Sequence, residues 1–145
     1  MKVVIGVFIF LIICSFEPRE EAATLIHRFI VQPSSQLIIS GKTNVSSFQC
    51  VSLYTGNDTL VLKEGGIGTK PFFEKGMVAL EATAFDCGLK VMTSDFKNTI
   101  KATENPYITI YFISFERVPV YTNSKDQFKG KLKISLGGIT KPFDV

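Results

Sequence analysis

The sequence predicts a single, mainly β domain: an antiparallel sheet with one short helix. Most of the chain after residue 25 consists of short segments in which apolar and polar residues alternate, as in strands with one buried face. Clusters of Gly, Pro, Asn, Asp and Ser separate these segments at short intervals. A single stretch has helical spacing instead, and no repeat or linker indicates a second domain. Composition alone leaves a barrel and a sandwich equally open.

Four strands are expected in the first half of the domain. Residues 26–31 and 36–42 lie on either side of the turn Gln32-Pro33-Ser34-Ser35. Residues 48–54 and 59–63 flank Gly56-Asn57-Asp58, which predicts a hairpin between them. Residues 64–76 contain four glycines and a proline, so we expect a flexible loop there.

The second half of the domain is predicted to place one helix between strands. Residues 77–85 and 107–118 are rich in strand formers. Between them, Thr93-Ser94-Asp95 offers an N-cap, and Asn105-Pro106 ends the helix after about three turns. We expect this helix to place Phe96 and Ile100 against the sheet.

The last clear strand, residues 128–136, alternates strictly. One side carries Lys129, Lys131, Lys133 and Ser135, and the other carries Leu132, Ile134 and Leu136. This pattern predicts a half-buried strand with a solvated outer face.

The N-terminus has the features of a secretory signal. Lys2 precedes an apolar run over residues 3–13, which is too short to span a bilayer comfortably. We therefore assign residues 1–15 to a signal peptide, 16–25 to a linker and 26–145 to the folded domain. The protein is expected to be exported, to the periplasm or the extracellular space. Cleavage near Ser15 would release it. Alternatively, residues 11–14 resemble a bacterial lipoprotein box, in which lipidation of Cys14 would anchor the protein to the membrane. In this box Ile13 replaces the small residue that usually precedes the cysteine.

The net charge limits the kinds of partner that the protein is expected to have. The formal net charge of +3 falls to +2 when Lys2 is removed with the signal, since Glu17 is the next charged residue. So small a value gives no reason to expect a nucleic-acid partner.

In an oxidising compartment the remaining pair, Cys50 and Cys87, predicts one disulfide; two separate buried thiols are the alternative. No metal site is expected, because His27 lies far from both cysteines without ligand spacing.

No motif indicates catalysis. Gly41-Lys42-Thr43 ends like a phosphate-binding loop, but Gln36 occupies the position of its first glycine and no helix-forming segment follows. We interpret it as a structural corner, in which Gly41 allows a close approach. His27 is the only histidine and has no partner marked in the sequence. The chain is therefore predicted not to be an enzyme.

Three blocks occur in an order that resembles the YceI-like family, in particular its exported branch with paired cysteines. They are "SSQLIISGKTNVSSFQC", "FDCGLKVMTSDFKNTIKATENPYITIYF" and "GKLKISLGGITKPFDV", and the resemblance covers residues 29–145. It implies a lipocalin-like antiparallel β-barrel with a helical segment against it, which encloses an elongated apolar tunnel. It also implies that Cys50 and Cys87 tie an early strand to the end of the central one. Because related chains run on for some tens of residues after "TKP", we expect this chain to be a C-terminally incomplete barrel.

Members of the family bind polyisoprenoid or quinone-type lipids without transforming them, so the resemblance implies a long apolar lipid as partner and no other cofactor. Alternation marks the inward stripes that would line such a tunnel, together with the helix residues. These candidates are Val78, Leu80, Ala82, Phe96, Ile100, Ile108, Ile110, Phe112, Leu132, Ile134 and Leu136. The alternative function is a structural β-domain in which the same stripes fill a solid core.

Overall fold

A computed structural model describes residues 24–42, 44, 46–120 and 127–145. The proposed signal peptide, Cys14, most of the linker and Thr43 lie outside these residues. The described chain forms nine strands and one α-helix: β1 (Ile26–Ile30), β2 (Gln36–Lys42), β3 (Ser47–Leu53), β4 (Thr59–Lys63), β5 (Phe72–Lys75), β6 (Met77–Glu81), α1 (Lys90–Thr99), β7 (Tyr107–Phe115), β8 (Gly130–Leu136) and β9 (Ile139–Asp144). A short 3₁₀ turn, Ala82–Ala84, follows β6.

The strands form one large and one small antiparallel sheet, so the mainly β, antiparallel prediction with one helix is confirmed. The large sheet has the order β1-β4-β5-β7-β8-β9, with β6 also paired to β7, and β2 pairs with β3 alone. Among the described residues no pairing joins β9 to β1 or to β2, and no closed barrel is formed.

The two sheets are parts of one long, bent hairpin. In the β1–β4 pair and in the β2–β3 pair, the residue numbers of two paired residues always add up to the same value. The two ladders therefore share one continuous register. Two hydrogen bonds continue that register through the bend, from Val31 N–H to the Asp58 carbonyl (3.0 Å) and from Tyr54 N–H to the Ser35 carbonyl (2.8 Å). The chain thus runs out along β1 and β2 and returns along β3 and β4.

The predicted hairpin between residues 48–54 and 59–63 is therefore wrong. Gly56-Asn57-Asp58 bends one arm of the hairpin and does not reverse the chain. At the bend the Tyr54 hydroxyl donates to Asp58 Oδ2 (2.8 Å) and accepts from the Asp58 N–H (2.6 Å). Gly56 is required beside them, because a Cβ there would lie 2.5 Å from the Tyr54 hydroxyl oxygen.

The prediction of a loop over residues 64–76 is wrong for its last part. Phe72–Lys75 forms β5, which pairs with β4 and contacts β7 through Phe72 and Ser114. At Gly76 the chain passes so close to β7 that a Cβ would lie 2.4 Å from the Phe112 carbonyl oxygen. Glycine here lets β5 and β6 follow one another along the same edge of β7.

The helix begins earlier than its cap signal predicts. Leu89 occupies the N-cap position without a side-chain hydrogen bond, so Asp95 lies inside α1 and does not cap it. The hydroxyl of Thr93 is used elsewhere: it accepts from the Cys87 N–H (3.0 Å) and donates to Asp86 Oδ1 (3.2 Å). Phe96 and Ile100 are buried in the core, as the helical spacing predicts.

The end of the described chain is a regular hairpin. Gly137 and Gly138 both have positive φ, 58° and 79°, as a two-residue hairpin turn requires. The final strand therefore begins at Ile139, directly after the two glycines. Several earlier strands are shorter than predicted, most of all β6, which ends at Glu81, and β7, which ends at Phe115.

The predicted disulfide is confirmed: Cys50 of β3 is bonded to Cys87, just before α1. Beside it, Val51 and Asp86 exchange two backbone hydrogen bonds of 2.8 and 3.0 Å. The bent hairpin is thus attached to the start of the helix by a covalent bond and a β-bridge.

Candidate functional site

The inner face of β7, β8 and β9 carries nine side chains that the strand register arranges in three rows. Across the three strands, in that order, the rows are Ile108–Leu136–Ile139, Ile110–Ile134–Lys141 and Phe112–Leu132–Phe143. The outward positions of β8 hold Lys131, Lys133 and Ser135, so its predicted phase is confirmed.

An apolar cleft lies over part of this face. It has a volume of about 460 Å³ and lies between Leu37, Ile38 and Ile39 of β2 and the inner residues of β7, β8 and β9. Its wall on the sheet side consists of Ile108, Ile110, Ile134, Leu136, Ile139, Lys141 and Phe143. The volume falls in the range of about 300–1,000 Å³ that is usual for small-molecule sites. Lys141 is the one charged residue of this lining.

On the side of β6 the inner face is closed by the helix. The ring centroids of Phe85 and Phe96 are 5.6 Å apart, and both rings are buried together with Ile100. The candidates Val78, Leu80, Ala82, Phe96 and Ile100 belong to this packed cluster and do not line the cleft.

Beyond the third row, a group of phenylalanines packs together in tilted and edge-to-face arrangements. Phe73 contacts Phe112 (centroids 5.6 Å apart) and Phe115 (4.8 Å), and Phe115 contacts Phe128 (4.6 Å). The candidate Phe112 belongs to this group, and Leu132 is half-buried beside it. The cleft is therefore bounded by packed side chains at both ends.

The structure brings four of the eleven candidates together at the cleft, namely Ile108, Ile110, Ile134 and Leu136. Its other walls come from β2 and β9, whose residues the sequence analysis did not include. Signals for both were present: Gln36–Lys42 alternates in burial, and the Gly-Gly pair predicts a turn that folds β9 back onto β8.

The strands β2 and β9, which flank the mouth of the cleft, each have one edge without a partner strand within the described residues. Beside the end of β9, the backbones of Val145 and of Gly130 in β8 exchange hydrogen bonds of 2.9 and 2.7 Å. Hydrogen-bonded and non-hydrogen-bonded pairs alternate along an antiparallel ladder, so Phe143 and Lys141 are also in hydrogen-bonded pairs. The backbone of Pro142 consequently faces the unpaired edge, where proline removes a donor that another strand could use.

Several titratable groups pair with one another away from the cleft. His27 Nε2 lies 3.2 Å from Glu64 Oε2, a partner that the sequence did not reveal. Burial raises the pKa of the Tyr54 hydroxyl, and its hydrogen bond to the Asp58 side chain adds to the rise. None of these four residues lines the cleft. No metal-binding group of three His, Cys, Asp or Glu residues occurs in the described ranges.

Comparison of the chain with family models, with curated proteins and with solved structures finds no match. The family resemblance therefore depends on the three sequence blocks alone. Across residues 24–42, 44, 46–120 and 127–145, no helix is long and apolar enough to cross a membrane.

Proposed function

We propose that the protein is an exported, non-catalytic lipid-binding protein of the YceI-like type, which holds the tail of a polyisoprenoid or quinone-type lipid in the cleft between β2 and β7–β9. The observation that carries this proposal is the cleft itself: a hollow of about 460 Å³ whose lining is apolar except for Lys141. Chemistry on a substrate would need a polar or titratable constellation facing the hollow, and the lining offers a single lysine.

The cleft leaves large apolar side chains in contact with water. Ile139 is 62 % exposed and Phe143 is 44 % exposed, although both lie on the inner face of β9. Covering apolar surface stabilises a complex by about 25 cal/mol per Å². An alkyl or prenyl chain is a suitable cover, because it leaves no unpaired polar group against the apolar wall.

The lipocalin-like barrel of the family is part of the same proposal. The bent hairpin supports it, because its bend carries β2 and β3 away from the large sheet, so that β2 stands opposite β9. In this arrangement the wall of the barrel is open between β2 and β9, and the cleft is the part of the tunnel behind that opening.

Export is supported by the disulfide, since such bonds persist in oxidising compartments. Residues 1–15 then act as the signal. The choice between release near Ser15 and an anchor on Cys14 is tested by growing the expressing cells with a labelled fatty acid. Label on the wild-type chain that is lost in Cys14→Ser supports the anchor, and an unlabelled protein excludes it.

Native mass spectrometry of the protein purified from cells tests the lipid site. We expect an isoprenoid or quinone lipid to accompany the wild type, and to be lost from Ile134→Trp, which fills the middle of the cleft. Ile113→Trp is the matched control, because Ile113 is an exposed residue of β7 that does not line the cleft.

A bare protein that also ignores added quinone and polyprenyl lipids would contradict the proposal. That result would favour the structural β-domain, for which the packed phenylalanines on either side of the cleft are the supporting observation.

A further inference from the structure

Lys141 lies in the middle of the apolar wall. It is the second of three inward positions on β9, between Ile139 and Phe143, and it completes the row that begins with Ile110 and Ile134. Among the ten residues that line the cleft it is the single charged one. A lysine at this position keeps its alkyl stem on the apolar wall while its ammonium group remains accessible.

The neighbouring lysines lie on the opposite face of the sheet. Lys131 and Lys133 occupy the outward positions of β8, where solvent surrounds them, and Lys131 Nζ lies 3.6 Å from Asp144 Oδ1. In the described part of the chain the Lys141 side chain has neither an ion pair nor a hydrogen bond. The cleft thus presents one cation whose hydrogen-bond donors are unused by the protein.

We propose that the ligand of this cleft is an amphiphile with an anionic headgroup, a carboxylate or a phosphate, which pairs with the Lys141 ammonium while its tail lies along the isoleucines of β7 and β8. This inference depends on the proposed function and narrows its ligand class from polyisoprenoid or quinone-type lipids in general to isoprenoid lipids with an anionic headgroup. The ammonium group and an anionic headgroup would form a charge-assisted hydrogen bond, which is stronger than its neutral counterpart. A neutral headgroup could accept a hydrogen bond from the ammonium group but would not neutralise its charge.

The test uses three probes that share one isoprenoid tail: farnesol, farnesoic acid and farnesyl monophosphate. Their affinities are measured by isothermal titration calorimetry for the wild type, Lys141→Met, Lys141→Arg and Lys133→Met. We expect the wild type to bind at least one anionic probe about ten- to a hundredfold more tightly than farnesol. Lys141→Met should lose this preference and retain farnesol binding, whereas Lys141→Arg and the outward control Lys133→Met should keep it.

The outcomes distinguish a failure of the headgroup assignment from a failure of the proposed lipid-binding function. Preference for the acid identifies a carboxylate, and preference for the monophosphate identifies a phosphate. Equal affinities for all three probes, or an anion preference that survives in Lys141→Met, would overturn the headgroup assignment and leave the lipid site standing. Failure of the wild type to bind any of the three would overturn both.

Discussion

The inner face of the sheet is covered at β6 and becomes exposed towards β9, although the four strands from β6 to β9 present the same kind of residue. One row across them makes the difference visible. Leu80 is 6 % exposed and Ile108 1 %, Leu136 is half-buried, and Ile139 is 62 % exposed. Alternation decides which way a side chain points, but elements far away in the chain decide whether anything covers it.

The covered half is closed by α1 and by Phe85. The disulfide holds the start of this helix against β3, which keeps the cover in place. The open half lies opposite β2, on the other side of the cleft. The first region is therefore expected to determine stability, and the second to be available for a ligand.

The largest expected effect comes from truncating one aromatic residue in the covered half. Phe96→Ala removes a buried ring from the core, and we expect the free energy of unfolding to fall by about 3–5 kcal/mol. The matched change in the open half, Ile139→Ala, should cost less than about 1 kcal/mol, because that side chain is already solvated. Urea denaturation measures both values. Equal losses at the two positions would break the comparison.

Removal of the disulfide should have a similar effect. In the loop-entropy model, a bond that closes 37 residues stabilises the fold by about 4 kcal/mol. We expect this loss of unfolding free energy in the double variant Cys50→Ser/Cys87→Ser, and in the wild type after reduction. The double variant itself should not respond to the reductant. Thiol counting on the unreduced, denatured wild type checks the bond directly, and two free thiols would contradict it.

The bend of the hairpin gives a smaller, pH-dependent effect. Tyr54→Phe removes the two hydrogen bonds with Asp58 and should cost about 1–3 kcal/mol at neutral pH. Because burial and Asp58 raise the pKa of Tyr54 in the folded state, the unfolded chain loses this proton first as the pH rises. Wild-type stability contributed by Tyr54 is thus complete below about pH 10 and decreases above it.

Urea titrations at neutral and alkaline pH test this point. The difference in stability between the wild type and Tyr54→Phe should shrink as the pH rises above about 10. A difference that grows with pH would contradict the assigned direction of the pKa shift.

The smallest effect on stability, within about 0.5 kcal/mol, is expected at the edge of β9. Pro142→Thr supplies an N–H on the unpaired edge, so self-association by strand pairing should increase. Analytical ultracentrifugation compares it with Thr140→Val, which changes a side chain on the same edge but leaves its N–H unchanged. An equally monomeric Pro142→Thr would show that proline does not protect this edge.

Local features of the fold were predictable to the residue. The bounds of β2 and β4, the outward lysines of β8 and the burial of Phe96 all follow from periodicity within one segment. The disulfide was predictable because two cysteines remain once Cys14 is assigned to the signal. The N-cap was not, because Thr93 binds Asp86 and Cys87 when it could have capped the helix.

Features that depend on distant partners were not predictable. Gly56-Asn57-Asp58 has the composition of a hairpin turn, and only the packing of Tyr54 makes it a bend. Likewise, alternation predicts which residues point inward, but it does not predict which of them α1 covers. The cleft is the remainder of the inner face after the helix and the phenylalanines have been placed, so local patterns could indicate the strands β2 and β9 but not that they would line it.

The central claim, that a lipid tail occupies the space between β2 and β9, can be measured directly by fluorescence. The chain contains no tryptophan, so Ile139→Trp places a single reporter on the wall of the cleft, and Ile113→Trp places one on an exposed position outside it. A brominated isoprenoid lipid should quench the emission of the Ile139→Trp variant saturably and leave that of the Ile113→Trp variant unchanged. Equal quenching of the two reporters, or none of either, would contradict the account.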